Sequence, residues 1–75
     1  MIYPNPVKEG GLLSFYGLKN NNNAITIYDL SGKIVYKGSI VNQKMYIPYY
    51  ITSGTYILNV SSNGSMITSM KLIVK

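Results

Sequence analysis

The sequence predicts an all-β fold, a small antiparallel β-sandwich of the immunoglobulin-like kind with about seven short strands. Short apolar runs alternate with turn residues along the whole chain, and β-branched residues and turn formers interrupt every window long enough for an amphipathic helix. Asn63-Gly64 also stands between two alternating runs, and this dipeptide is the strongest short signal for a type I′ hairpin. Short strands at regular spacing are typical of two packed antiparallel sheets.

The N-terminal half predicts two strands, a loop and a return strand. Alternation of apolar and polar residues predicts strands over residues 12–16 and 24–30. Consecutive asparagines within residues 19–23 predict a loop between them, because asparagine tolerates left-handed backbone and bonds its own chain. Gly32 supplies the positive φ of a tight turn, after which residues 33–40 return as the partner strand.

The C-terminal half predicts three further strands. A short strand over residues 44–47 ends at Pro48, which cannot donate to a ladder. Residues 49–53 cross over, residues 55–61 alternate cleanly, and the last strand covers residues 65–75. The predicted core consists of the inward positions of these segments, namely Val7, Leu13, Phe15, Ile25, Ile27, Leu30, Val35, Ile47, Ile51, Tyr56, Leu58, Val60, Met70, Leu72 and Val74.

Composition argues against catalysis. The chain contains neither cysteine nor histidine, and its only acidic residues are Glu9 and Asp29. A serine–histidine–aspartate relay lacks its base, a zinc site lacks its usual ligands, and two carboxylates are few for a calcium site. A glycosidase needs two carboxylates that flank a bond, and Glu9 with Asp29 is the only pair available. We therefore predict a protein that is not an enzyme, with no catalytic residue, no metal site and no cofactor.

The net charge and the distribution of the lysines indicate which classes of partner to expect. The net charge is +5, and the seven cations are lysines scattered along the chain. A nucleic-acid-binding protein clusters its cations and favours arginine, so we expect no nucleic-acid partner, and single-strand binding is the weakest alternative. The scattered lysines fit the protection of sheet edges. No apolar run approaches the roughly 18 residues of a membrane span, so no direct membrane insertion is expected.

Length predicts a single domain over residues 1–75. A chain this short rarely gains more than about 3–5 kcal/mol from its core without a disulfide or a metal. We therefore expect a marginally stable monomer that is helped by an attached upstream protein or by homodimerisation. A domain excised from a longer secreted protein fits this expectation.

Four stretches stand out in order along the chain. The first flanks an asparagine with prolines, which fix φ and push the preceding residues toward extended backbone. The second is a turn between apolar strands, whose aspartate can accept hydrogen bonds from backbone amides. The third places Gly-X-Tyr at the head of a strand, and the fourth alternates lysine with aliphatic residues. They are Tyr3-Pro4-Asn5-Pro6, Asp29-Leu30-Ser31-Gly32-Lys33, Ser53-Gly54-Thr55-Tyr56 and Lys71-Leu72-Ile73-Val74-Lys75.

This ordered set resembles the type A C-terminal sorting domain of the bacterial type IX secretion system, and the resemblance extends over nearly the whole chain. It implies a domain at the C-terminal end of a covalently linked cargo protein. Such cargo is exported, passes through the periplasm and is recognised by an outer-membrane shuttle or translocon. A sorting peptidase commonly removes the domain at the cell surface, where the cargo is anchored or released.

Within this resemblance we predict that residues 71–75 are the recognised element, since the exposed backbone of a terminal strand can pair with a partner strand. Met66, Met70, Leu72 and Val74 are predicted to face inward, with Lys71, Ile73 and Lys75 opposite. The other motif residues are interpreted as mainly structural: an unusual φ is expected at Gly54, and the side chain of Tyr56 is expected to fill the core. These structural positions are Pro4, Asn5, Pro6, Asp29, Gly32, Lys33, Gly54 and Tyr56.

The alternative function is a small β-sandwich module that binds carbohydrate or mediates adhesion, because aromatic faces stack on sugars. Its candidate residues are Tyr16, Tyr28, Tyr36, Tyr46, Tyr49 and Tyr50. Cross-strand pairing within the sheet accounts for the same tyrosines. Silence on a glycan array would count against the sugar-binding interpretation.

Overall fold

A computed structural model describes residues 2–18 and 22–75 of the chain. Seven β-strands and no helix lie within these residues, so the prediction of an all-β fold with about seven strands is confirmed. The strands are β1 (Ile2–Tyr3), β2 (Leu12–Phe15), β3 (Asn22–Tyr28), β4 (Ile34–Val41), β5 (Lys44–Tyr46), β6 (Gly54–Ser62) and β7 (Ser65–Val74).

The strands form one antiparallel sheet in the order β1-β2-β5-β4-β3-β6-β7, and this sheet curls over a single core. β1 and β7 are the two outer strands of that order. Curling brings the chain just after β1 back to the end of β7, where Val7 and Val74 form a parallel bridge. The two ends of the sheet therefore meet, and the result is a small sandwich.

The core follows the predicted alternation with a few differences. Leu30 was predicted to be buried and is 69% exposed, because β3 ends at Tyr28 and Leu30 lies in the following turn. Val35, Tyr56 and Met70 are only partly buried and pack against the core. The buried set is Ile2, Val7, Leu13, Phe15, Ile25, Ile27, Ile40, Met45, Ile47, Ile51, Leu58, Val60, Leu72 and Val74, of which Ile2, Ile40 and Met45 were not predicted.

A register shift in β4 explains why Ile40 was missed. Tyr28 pairs with Ile34 and Ile27 pairs with Tyr36, so β4 contains one extra residue at Val35. An extra residue reverses which side chains of the strand face inward. Ile40 thereby enters the core, although alternation counted from the start of the strand places it outside.

A second register shift corrects the prediction for Met66. The pairing of β6 with β7 shifts between Val60 and Ser61, so that Val60 pairs with Thr68 and Ser61 pairs with Met66. Met66, predicted to face inward, is 64% exposed. The inward alternation of β7 holds only on the C-terminal side of this bulge.

Two tight turns have positive φ at both central residues. Asn63 (φ 53°) and Gly64 (φ 81°) connect β6 to β7, which confirms the predicted type I′ hairpin. Asn42 (φ 55°) and Gln43 (φ 61°) connect β4 to β5 in the same way. The second turn was not predicted, because glutamine is an uncommon residue at positive φ.

Part of the predicted asparagine loop belongs to a strand. β3 begins at Asn22, and the next residue, Asn23, is 3% exposed and pairs with Ile40. The remainder of the predicted loop, residues 19–21, lies outside the described residues. Two asparagines thus belong to the strand, because ladder pairing with β4 outweighs their low β propensity.

Candidate recognition site at the C-terminal strand

The C-terminal end of β7 divides its side chains between core and surface. Leu72 and Val74 are buried in the core, as predicted. Lys71 and Lys75 are exposed, and Ile73 between them is half-buried on the same outer face. The sequence prediction of two faces is therefore confirmed for residues 71–75.

The outer edge of this end of β7 is covered by the chain that follows β1. The backbone N–H of Val7 donates to the carbonyl of Ile73 at 2.9 Å, and the N–H of Lys75 donates to the carbonyl of Val7 at 2.8 Å. The N–H of Glu9 donates to the carbonyl of Lys75 at 3.2 Å. On the opposite edge, β7 pairs with β6.

Asn5 extends this ladder with its side chain. Its Nδ2 donates to the carbonyl of Lys71 at 2.9 Å, and its Oδ1 accepts from the N–H of Ile73 at 2.9 Å. Asn5 is flanked by Pro4 and Pro6, which have no N–H to give, so the side-chain amide supplies the donor and the acceptor that a strand backbone would offer. The Tyr3–Pro4 and Asn5–Pro6 peptide bonds are both cis.

These contacts correct the expected mode of recognition. The backbone of residues 71–75 was predicted to be exposed for pairing with a partner strand, but residues 5–9 already occupy that edge. The chain offers its outward side chains there in place of a free backbone. Local patterns did not reveal this pairing, since the two segments lie more than sixty residues apart; the asparagine between two prolines was the one available signal.

The Asp29 turn has the hydrogen bonds that the sequence predicted. Oδ1 of Asp29 accepts from the N–H of Ser31 at 2.9 Å, the hydroxyl of Ser31 at 2.6 Å and the N–H of Lys33 at 3.0 Å. The backbone N–H of Asp29 donates to the carbonyl of Lys33 at 2.9 Å, and Gly32 has a φ of 90°. The Ser31 hydroxyl, followed by the Lys33 amide, lowers the pKa of Asp29 from its ordinary value of 3.8.

The Gly-X-Tyr stretch anchors the start of β6. The hydroxyl of Tyr56 donates to the carbonyl of Thr52 at 2.7 Å, in the manner of a tyrosine corner. Tyr56 is partly buried at the margin of the core, so the prediction that it fills the core is only partly met. Gly54 has a φ of 155°, the unusual value that was expected. Just before it, the N–H of Ser53 donates to Oε2 of Glu9 at 2.8 Å.

All four sequence motifs lie at one end of the sandwich. Gly54 pairs with Val74, and Tyr28, which precedes the Asp29 turn, pairs with Ile57 in the same strand as Gly54. A groove of about 400 Å³ has both Lys33 and Tyr56 in its wall. Motifs that are far apart in sequence therefore build one continuous surface around the last residues of the chain.

Lysines and carboxylates both lie at this end of the sandwich. Lys33, Lys71 and Lys75 are exposed near it. The two carboxylates of the chain, Glu9 and Asp29, both accept hydrogen bonds from backbone amides. Within residues 2–18 and 22–75, no group of three or more acidic, histidine or cysteine side chains gathers in a way that suits a metal ion.

The tyrosines divide between the surface and the margin of the core. Tyr28, Tyr36 and Tyr56 are partly buried. The other five are exposed, namely Tyr3, Tyr16, Tyr46, Tyr49 and Tyr50. Tyr49 and Tyr50 contact each other edge-on, with ring centroids 6.4 Å apart. Sugar binding by such exposed rings stays a prediction.

No helix in the described part of the chain has the length and apolarity to cross a membrane.

Comparisons with known proteins relate this architecture to secretion. A family model described as "Secretion system C-terminal sorting domain" matches residues 1–75, the whole chain. No curated protein matches. Among solved structures, PorZ of Porphyromonas gingivalis, described as an essential bacterial surface component of the type-IX secretion system, aligns with a TM-score of 0.67 at 20% identity. The alignment covers 100% of this chain and 11% of the PorZ chain, and it shows a shared fold.

Proposed function

This chain belongs to the C-terminal sorting domain family of the type IX secretion system, and we propose that the machinery recognises it through the side chains of Lys71, Ile73 and Lys75. A protein that carries such a sorting domain is exported to the cell surface or secreted, and the domain interacts with the type IX machinery.

The observation that carries the proposal is the double engagement of the terminal strand. β6 occupies one edge of β7, and residues 5–9 occupy the other edge along residues 71–75. Leu72 and Val74 are inside the core. Along residues 71–75, the groups that remain for a partner are the outward side chains, with one ammonium group on each side of an aliphatic side chain. Such a row suits an acidic surface with an apolar centre.

We further propose the route that membership of this family implies, in four steps. The cargo precedes residue 1 in the same polypeptide and crosses the periplasm with the folded domain attached. An outer-membrane shuttle binds the domain and delivers it to the translocon. A sorting peptidase then cuts upstream of Tyr3 or near it, which releases the cargo or leaves it anchored at the surface.

We also propose that the domain performs no catalysis of its own. The absence of histidine and cysteine from the sequence supports this view. The carboxylates support it as well, because each is bonded to backbone amides that hold a turn or a loop in place. A carboxylate in that role is not poised to exchange a proton with a substrate.

Export of a reporter fusion tests the proposal. A reporter with an N-terminal export signal is joined to the 75-residue chain in a bacterium that has the type IX machinery. We expect the double variant Lys71→Glu/Lys75→Glu to lower secretion by about tenfold or more, because reversed charges repel an acidic partner. Deleting residues 70–75 is a poorer test, since it also removes Leu72 and Val74 from the core.

The matched control reverses two lysines that are exposed elsewhere. Lys37→Glu/Lys44→Glu changes the net charge by the same amount at exposed positions on β4 and β5. The control should secrete normally, and circular dichroism should show both variants folded, since exposed substitutions usually change stability by only about 0.5 kcal/mol. Equal secretion by the two double variants would sink the assignment of residues 71–75.

A further inference from the structure

The N-terminal half of β7 has an open outer edge. In the sheet order β7 is an end strand, and residues 5–9 cover only its last part. The carbonyl of Lys71 and the N–H of Ile73 point to the outer side, where they bond the side chain of Asn5. Ser69 lies two residues before Lys71, and the register with β6 does not shift between them. The N–H and C=O of Ser69 therefore point outward too. Among the described residues, no strand or loop bonds to the outer edge of residues 65–70.

This open edge lacks the charged residues and prolines that protect many free strands, and its one protective feature is the bulge at Ile67. Residues 65–70 read Ser-Met-Ile-Thr-Ser-Met and contain no charged residue and no proline. Met66 is 64% exposed and Ile67 is 50% exposed. Natural edge strands are usually blocked by lysine, proline or a covering segment, and an unblocked edge of β-prone residues is a template for another strand. The same strand is blocked at residues 71–75, so the opening is confined to one half.

A groove opens beside this edge, between β7 and β1. It has a volume of about 420 Å³ and is lined by Ile2, Asn5, Thr68, Met70 and Lys71. Ile2 is buried, and Thr68 and Met70 are half-buried, facing the interior of the sandwich. The groove is therefore the place where the curled sheet stays open, and an added strand would bring alternate side chains over the core.

We propose that an extended segment of another protein, with alternating apolar and acidic side chains, adds to this edge as a strand. Its backbone pairs with Ser69, its apolar side chains enter the groove over Ile2 and Met70, and its carboxylates meet Lys71. Strand addition to an incomplete sheet is an established mode of peptide recognition. The contact uses residues 65–70 and is separate from the outward row of Lys71, Ile73 and Lys75, except for the shared Lys71.

The positive charge of the chain indicates which kind of segment adds to this edge. The chain carries a net charge of +5, and among the described residues that line the groove Lys71 is the one with a charge. Neither Glu9 nor Asp29 is among the residues that line the groove, so no carboxylate of these two attracts a cationic segment there. A second copy of this chain brings the same positive charge to the edge, whereas an acidic strand complements it.

The test titrates the labelled 75-residue chain with a capped peptide of alternating Val and Glu, observed by amide NMR. We expect shift changes at residues 65–71 and at Ile2, and slowed hydrogen exchange at the Ser69 amide. Ser69→Pro removes the outward donor without touching the β6 ladder, and it should weaken peptide binding by about tenfold. Ser69→Thr keeps the donor and should bind like the parent.

A second variant protects the test against misfolding of the proline variant. Thr68→Glu keeps the backbone donor and acceptor groups and puts a charged side chain where the valines of the peptide enter the groove, so it should weaken binding of the Glu peptide. A matching Val–Lys peptide tests the role of Lys71 and should bind the parent weakly. Thr26→Glu, on the opposite face of the sheet, should leave binding unchanged. Equal binding of the two peptides to the parent would overturn the proposal. So would shifts elsewhere, no binding of the Glu peptide, or self-association through this edge.

Discussion

At the scale of single residues, Asn5 takes the place of a stretch of backbone. Prolines on both sides cannot donate hydrogen bonds, and the asparagine amide bonds both Lys71 and Ile73 at 2.9 Å. These bonds join segments from opposite ends of the chain, so they fix the position of the last strand relative to the N-terminal segment. This role explains why an exposed polar residue matters for the fold.

Replacing Asn5 gives a graded prediction. Asn5→Ala loses both bonds and should lower the free energy of unfolding, measured with urea, by about 1–2 kcal/mol. Asn5→Asp keeps an acceptor for the N–H of Ile73 but sets an oxygen against the carbonyl of Lys71, so it should not restore the stability of the parent. Equal stability of the alanine variant and the parent would refute the role assigned to this side chain.

Asp29 makes stability depend on pH in one direction. Its pKa is lowered in the folded state, chiefly by the Ser31 hydroxyl and the Lys33 amide. A lowered pKa means that the contribution is present above the ordinary value of 3.8 and is lost as pH falls through the folded-state value. Urea unfolding from neutral pH down to below 3.8 should show this loss.

The substitution Asp29→Asn is the control for that titration. It keeps a side-chain oxygen that can accept hydrogen bonds in the turn, and it removes the titrating group. The variant should therefore lose less stability than the parent as pH falls. A parent and variant with the same pH profile would show that Asp29 does not govern acid stability.

At the scale of elements, β7 consists of two halves with different edges. Its C-terminal half is bonded on both sides and buries Leu72 and Val74, whereas its N-terminal half is open and contains the bulge opposite Val60 and Ser61. The same contrast of a regular part and an irregular part recurs in β4, where Val35 is the extra residue. Bulges set which side chains of these strands reach the core.

The β4–β5 turn carries the next prediction. Gln43 has a φ of 61°, a conformation that costs a residue with a side chain about 1–2 kcal/mol. Gln43→Gly removes that conformational cost, but glycine also raises the entropy of the unfolded chain and so offsets part of the stabilisation. Thermal unfolding should therefore show that the free energy of unfolding rises by about 0.5 kcal/mol. Gln43→Val should be destabilising instead. The carbonyl that accepts from Phe15 at 2.8 Å is present in both variants.

The elements also show how far the sequence alone could lead. Alternation located β2, β6 and the C-terminal end of β7, and Asn63-Gly64 gave its turn, because these features depend on neighbouring residues. The burial of Ile40 and the exposure of Met66 depend on bulges, which no local pattern marks. The pairing of residues 5–9 with residues 71–75 depends on how the sheet curls, so the motifs were recognised while their mutual contact was not.

At the scale of the whole molecule, the sandwich is closed at one end and open along one seam. The four motifs gather at the closed end, where the N-terminal segment locks the final strand. The groove between β1 and β7 lies along the open seam. The domain therefore has two chemically different surfaces along β7, a row of outward side chains at residues 71–75 and an unpaired backbone edge at residues 65–70.

Amide hydrogen exchange of Ile73 and Ser69 tests the locked terminal strand most directly, since both amides point to the outer edge of β7. Ile73 donates to Oδ1 of Asn5, and Ser69 faces the open half of the edge. The account predicts slow exchange at Ile73 and fast exchange at Ser69 in the isolated chain. Exchange at Ile73 as fast as at Ser69 would contradict it, because the terminal strand would then be as open as the rest of the edge.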